Sequence, residues 1–491
     1  MTLPFKQIPA NLRLPGFYAE LDPSKANSAA QNQRTLIIGQ ITSAGAAAPN
    51  VPLKSNGAAD AITQGGAGSM LALMTSIYRQ NDAFGEVWYL PLADAAGAVA
   101  ASGSVAFTGP ATAAGTLALY VAGTNLAVAV TSGMTANALA TAVAAAVTAS
   151  PNLPVTATAT TSTVTITAKN AGLAGNDIDL RLNYQTSAGG EVTPAGIAAT
   201  ITAMTGGATN PTLTTALAAL ANKSFDFIIT PYVDATSIGA LSGVLSDAGG
   251  RWSWNSALYG HVFGAIRGTS GALTTFGLTL NDQHTTFMGF YDSPTPNWLW
   301  AAAFGAAAVS LRADPGTPLQ TLTLQGVLAP PIQSRFLAGV RNGLLFDGIS
   351  TFTVTSGVVA IENLITTYQL NAQGVADNSY LEVETMFVLA YVLRDLAAFV
   401  AGSYGRIKLA ADGTRFAPGS NITTPSIVRA DIIARYQQLE YQGYVQQSAA
   451  FAAGLTVQQN ANNPGRLDVL YGPILIQQLR TMAFLIQFRN F

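Results

Sequence analysis

Short apolar runs and stripes at helical spacing take turns in the early part of the chain. TLIIGQ (35–40) is a short apolar run bounded by polar residues, which suits a buried strand. In GSMLALMTSIYRQN (68–81), Leu71, Met74, Ile77 and Tyr78 recur at helical spacing, and EVWYLPL (86–92) reads as a second strand. The rhythm returns after Pro211. TLTTALAALANKS predicts a helix, FDFIITPY (225–232) a strand, DATSIGALSGVLSD a helix and HVFGAIRG (261–268) a strand, and GALTTFGLTLND and HTTFMGFYD continue the alternation. Near-continuous apolar strands alternating with helices predict an α/β layer.

Between these halves the period changes. TLALYVAG, LAVAVTSG, VTATATT and TVTITA set β-branched or apolar residues against small polar ones and are broken by Gly, a strand-and-turn pattern. One Ala-rich stretch, TANALATAVAAAVTAS (135–150), predicts a helix. From Ala95 to Ala168 there is no charged residue, and Gly-rich GGEVTPAG and MTGGATNPT close the section. A β-rich module inserted into one α/β domain explains the sequence of patterns, and insertions succeed at exposed loop tips, which puts the module on the outside.

Beyond about residue 360 the helix punctuation is clearer. Ser379 and Glu382 have the S-x-x-E spacing of a capping box ahead of SYLEVETMFVLAYVLRDLAAFV. Thr424 and Pro425 suit an N-cap and first turn, and Val428, Ile432, Tyr436 and Leu439 follow along one stripe until Gly443 breaks it. RLDVLYGPILI and the apolar tail after it both read as strands. The tail is unusual, because chain ends are ordinarily polar and frayed.

Composition adds a surface argument. The 491 residues suggest about three domains, are 49% hydrophobic and only 10% charged, and carry a net charge of −2. A typical globular chain is about 25% charged, and so neutral a surface does little to keep copies apart. Burial of that surface in an assembly accounts for it, and no electrostatic excess draws the chain to nucleic acid or anionic lipid. With no cysteine, disulfides and thiolate metal sites are excluded. The opening MTLPFKQIPANLRLPGFY lacks the regions of a signal peptide. The longest membrane-like run, WLWAAAFGAAAVSL (298–311), falls short of the roughly 20 residues of a bilayer span and is expected to be a buried helix.

Candidate chemistry is sparse. The two histidines, His261 and His284, lie in no metal-binding spacing, no G-x-S-x-G elbow occurs, and both are expected to be ordinary residues at strand ends. GGAGSM (65–70), ahead of a helix, has the place of a phosphate cradle. It lacks the lysine of a phosphate loop, and Leu71 stands at the third glycine position of the dinucleotide pattern, so it predicts a flexible lead-in to the helix. The acid pairs Glu382/Glu384 and Asp177/Asp179 are expected to be solvated or to pair with Arg. No catalytic, cofactor or metal site is predicted, and the chain is not expected to be an enzyme.

ENLITTYQLNAQGVADNSYLEVET (362–385), RIKLAADGTRFAPGSNITTPSIVRADIIARYQQLE (406–440) and NNPGRLDVLYGPILIQQLRTMAFLIQF (462–488) resemble the C-terminal domain of bacteriophage contractile tail sheath proteins, in particular their Mu-like branch. IPANLRLPGFYAELDPSKA (8–26), with its turn at Pro15, Gly16 and Phe17, resembles the start of that family. These motifs cover about a third of the chain. The resemblance implies a structural subunit that stacks in hexameric rings around a tail tube, joined by its chain ends, and contracts when the baseplate triggers it. The implied partners are other copies of the chain, the tube protein and the baseplate and tail terminator proteins, without nucleic acid or membrane insertion. The implied place is the virion tail, after assembly in the host cytoplasm.

The expected fold is α/β multidomain. A 1–24 arm precedes an α/β core of 25–94 and 209–358, which is interrupted by an outward-facing β-rich module at 95–208. A tube-proximal C-terminal α+β domain at 359–478 and a 479–491 arm follow. If the arms add as strands to a neighbour's sheet, Phe484, Ile486 and Phe488 share one face, as do Phe17, Ala19 and Leu21, and these six are the expected subunit contacts. Two rivals are a secreted lattice or adhesion protein and an α/β enzyme with an unrecognised site.

Overall fold

The computed structural model describes residues 33–490, which divide into two compact units. The first holds Gln33–Phe387 together with the terminal stretch from Gln478; the second holds Val388–Gln477.

The first unit opens with β1 (Thr35–Gln40), β2 (Leu53–Lys54), α1 (Ala58–Gly65), α2 (Met70–Asn81) and β3 (Val87–Leu92). An insertion follows: β4 (Ser102–Thr108), β5 (Gly115–Val121), β6 (Thr124–Val130), α3 (Ala136–Thr148), β7 (Val155–Thr160), β8 (Thr163–Ala168), β9 (Leu180–Leu182) and β10 (Ala198–Thr205). The chain then resumes through α4 (Thr214–Ala218), β11 (Phe227–Ile229), α5 (Ala235–Leu245), β12 (His261–Arg267), α6 (Ser270–Gly277), β13 (Thr285–Phe290) and α7 (Asn297–Ala308). Helix α8 (Ala338–Phe346) and the hairpin β14 (Thr351–Thr355) and β15 (Val358–Asn363) complete it.

Its main sheet has the order β13-β12-β11-β1-β3-β2, parallel except at the short β2 edge. Counting only the parallel strands in chain order, that is the 2-1-3-4-5 arrangement of a doubly wound sheet. Strand alternation sorts the faces. Ile37, Tyr89, Phe227, Ile229 and Phe263 enter a core with α2 and α7, whereas Leu36, Ile38, Leu90, Ile228 and Val262 enter another with α4 and α5. Both faces are covered, so the strands are apolar throughout. Helix α7 is buried around almost its whole circumference, and Trp300 stacks on Phe290 at 4.6 Å.

The insertion forms two antiparallel sheets, β10-β4-β8-β7 and β6-β5-β9, around its own core with Leu139 and Val143 of α3. TLTTALAALANKS is helical only at Thr214–Ala218. Beyond that it tightens into three-residue turns, bonding Leu220 to Leu217 and Lys223 to Leu220, which deliver buried Phe225 towards β11.

The second unit is built on α9 (Val383–Tyr404), whose first turn belongs to the first unit, with β16 (Lys408–Leu409), β17 (Ile422–Thr423), α10 (Pro425–Tyr441), α11 (Ser448–Gly454), and the hairpin β18 (Thr456–Gln459) and β19 (Leu467–Leu470). Val388, Val392, Val428, Ile432, Tyr436, Leu439 and Phe451 form its core, with Tyr436 stacked on Phe451. The Thr424 hydroxyl accepts from the Ile427 N–H, Pro425 occupies the first turn, and Gly443 at φ +86° lies just beyond the helix.

The capping box at Ser379 does not form. The Ser379 N–H and hydroxyl both donate to Asp377 Oδ1, at 3.0 and 2.7 Å, and α9 begins only at Val383. Among the described residues that helix, not 298–311, is the one long and apolar enough to cross a membrane by length and composition. Its charges Glu384, Arg394 and Asp395 break the apolar run in sequence, and in the fold they are buried. Arg435 of α10 donates to Asp395 at 2.8 Å, so this stretch of α9 packs as a core helix.

Candidate assembly surface

A doubly wound sheet ordinarily binds its ligand beyond the carboxyl ends of its strands, at the switch point, where helix N-termini attract anions. Here that crevice lies beyond β1 and β11, next to the start of α2, and the insertion fills it. Asn170, just after β8, accepts from the Met70 N–H of α2 at 2.9 Å and donates to the Ile41 carbonyl at 3.0 Å. The Gln40 amide donates to the Ala171 carbonyl at 2.6 Å and to Asp94 at 2.7 Å, and Asp94 takes the Ala171 N–H at 2.9 Å.

The glycine-rich loop ahead of α2 is closed in the same way. Lys169 Nζ donates to the carbonyls of Ala67 at 3.0 Å and Pro151 at 2.6 Å. A Cβ at Gly68, whose φ is +74°, would lie 2.2 Å from the Leu153 carbonyl oxygen, so only glycine admits the insertion this closely. The N-terminus of α7 is taken too. Asp177 of the insertion accepts from the Asn297 N–H and from Arg267 Nε, both at 2.5 Å. The starts of α2 and α7 are thus occupied by the chain's own side chains.

The histidines and acid pairs noted in the sequence find partners within the fold. His261 Nε2 lies 2.7 Å from the Thr286 hydroxyl, and burial drives its pKa well below the usual value. His284 Nε2 lies 3.1 Å from Asp247. The acid pairs meet arginines: Asp179 with Arg181 and Asp177 with Arg267, while Glu382 and Glu384 share Arg480. Among the described residues no cluster of three or more His, Asp or Glu is placed to hold a metal ion.

Near its end the chain also exposes apolar side chains. Phe484, Ile486 and Phe488 are 79%, 82% and 81% exposed, and Leu485 between them 88%. Among the described residues no strand or helix forms after β19, although Leu475 bridges to Val445 within the second unit. In one chain the tail therefore carries the expected apolar side chains but has no sheet to join. Phe17, Ala19 and Leu21 lie outside the described residues. A contact just ahead of the tail was not legible from sequence: Arg480, whose partners Glu382 and Glu384 are 98 and 96 positions away. Its only signal was an arginine at the border of an apolar run, opposite two acids with no assigned partner.

Comparison with known proteins gives consistent matches. Residues 206–367 match the family model for the phage tail sheath protein central domain, and residues 375–489 that for the phage tail sheath C-terminal domain. A Mu-like prophage FluMu tail sheath protein from Haemophilus influenzae is 38% identical over 99% of this chain and 100% of its own. Among solved structures, a sheath tail protein from Desulfitobacterium hafniense aligns with a TM-score of 0.47 and 12% identity, covering 94% of this chain and 100% of that one. One from Listeria innocua aligns with a TM-score of 0.45 and 11% identity, covering 91% and 97%.

Proposed function

This chain belongs to the phage tail sheath family, and from that premise we propose that it forms a contractile sheath of stacked hexameric rings around a tail tube, which shortens to drive the tube through the host envelope during genome ejection. It is a structural component of the virion tail. Its proposed partners are its own copies, the tube protein, and the baseplate and terminator proteins, with assembly in the host cytoplasm.

The observation that carries the reading is the exposed apolar tail at 484–488 on a chain with few surface charges. An exposed edge of this kind invites association, and a lattice of identical copies gives it one defined acceptor. The tail is proposed to add as a strand to a neighbouring copy, backbone hydrogen bonds giving strength and Phe484, Ile486 and Phe488 filling pockets on one face. The open two-stranded hairpin β18–β19 suits such an acceptor. The segment around Phe17, Ala19 and Leu21 is proposed as a second arm, and the insertion as the outward-facing module. Contraction would then draw on energy loaded at assembly, and the self-filled crevice supports a mechanism without a bound nucleotide.

Electron microscopy of the purified protein tests the reading. Hollow tubes of stacked rings are expected. Planar arrays would favour a lattice protein, and persistent monomers at high concentration would overturn assembly altogether.

A further inference from the structure

At Arg480 the chain passes from anchored to exposed. Its Nη2 lies 2.7 Å from Glu382 and 2.8 Å from both oxygens of Glu384. Glu384, in the first turn of α9, is fully buried and also accepts the Leu319 N–H at 2.8 Å. The Arg480 side chain is 16% exposed, whereas every described residue after it, 481–490, is exposed.

Two carboxylates around one guanidinium leave a net negative charge in a buried place. Desolvation, together with the Glu384 charge, lifts the Glu382 carboxyl above its usual range despite Arg480. Apolar residues of similar volume would stabilise such a site at least as well. The cluster's cost therefore asks for a purpose other than stability, and its position supplies one.

We propose that Arg480, clamped between Glu382 and Glu384, is the fixed root of the inter-subunit arm, setting where the arm leaves the α/β unit and receiving the tension placed on it. This rests on the reading of the tail as an arm. From a fixed root the eleven residues that follow span at most about 35 Å, so the arm can search only a small volume. A neighbour's acceptor inside that volume meets it at high effective concentration. Freeing the root enlarges the volume and dilutes the arm.

Trypsin provides the test, because it cleaves after arginine and the tail contains Arg480 and Arg489. From the wild type, Asn490–Phe491 should be released quickly while the bond after Arg480 resists. The E382Q/E384Q double variant should release Thr481–Arg489 at least tenfold faster than wild type, followed by mass spectrometry, with a circular-dichroism melt showing the fold retained. It should also need at least a tenfold higher concentration to form tubes. E382Q alone keeps the Glu384 contact, should fold in any case, and should lie between the two in both readouts. Cleavage after Arg480 at the wild-type rate in the variants overturns the clamp. Faster cleavage with tube formation at the wild-type concentration overturns its role as the root. If the wild type forms no tubes, the arm reading fails on its own, and the cleavage pattern still judges the clamp.

Discussion

His261 is held neutral at the amino end of β12, its ring against Phe263 and its Nε2 on the Thr286 hydroxyl. Burial, with a smaller contribution from the His284 charge, depresses its pKa well below 6.5, so the unfolded chain takes up a proton that the native one refuses. The contribution of this group is complete above pH 6.5 and is lost as pH falls below it. The slope is at most about 1.4 kcal/mol per pH unit. His261→Gln should flatten that slope in urea denaturation between pH 6.5 and 5, whatever it costs at neutral pH. Asn170 offers a second test. Asn170→Ala leaves the Met70 N–H and the Ile41 carbonyl without their partner and should lower stability by about 2 kcal/mol, read as a shifted denaturation midpoint with an unchanged slope. Residue types announced neither arrangement. An isolated histidine and an asparagine in a polar turn look ordinary in sequence, and their roles come from partners far along the chain.

Local signals served the elements where they were also the strongest signals. Helix α2 was legible from its stripe alone; the Ser69 cap, whose side chain accepts from the Ala72 N–H, lies within the glycine-rich stretch that reads only as a flexible lead-in. Helix α10 was legible through Thr424, Pro425 and its four apolar residues. The start of α9 was not, because Asp377 draws Ser379 into a turn of its own and leaves Glu382 to Arg480. The tail reads in sequence as an apolar strand; its apolar character is there, but among the described residues it pairs with no sheet of its own chain after the Leu475 bridge and forms no strand. Its side chains are exposed, so Phe484→Ser or Phe488→Ser should leave the melting of the single subunit within about 0.5 kcal/mol of wild type. Each substitution should weaken association by about 2 kcal/mol, the worth of a buried aromatic side chain, and so raise the concentration needed for tubes about thirtyfold. Light scattering against protein concentration measures this directly.

For the whole molecule, the alternation of apolar strands and helices revealed the α/β layer, and the charge-free stretch from Ala95 to Ala168 marked the insertion. Its docking was hidden, because it is made by few residues (Lys169, Asn170, Ala171 and Asp177) clustered just beyond that stretch. An insertion tolerated at a loop tip would be removable. This one caps α2 and α7 and places Ala174 in the core of the sheet. Replacing residues 98–208 by a short Gly-Ser linker should therefore cost the α/β unit several kcal/mol, seen as a lower denaturation midpoint and as loss of tubes, rather than leave a trimmed but competent subunit.

The filled crevice also decides what the subunit can sense. A doubly wound sheet with an open switch point has a place there for a small-molecule ligand. Asn170 and Asp177 occupy the starts of α2 and α7, so an anionic metabolite finds neither of those two open. A change of state in such a subunit is then expected to be set at the surfaces it shares with neighbouring copies rather than at the starts of α2 and α7.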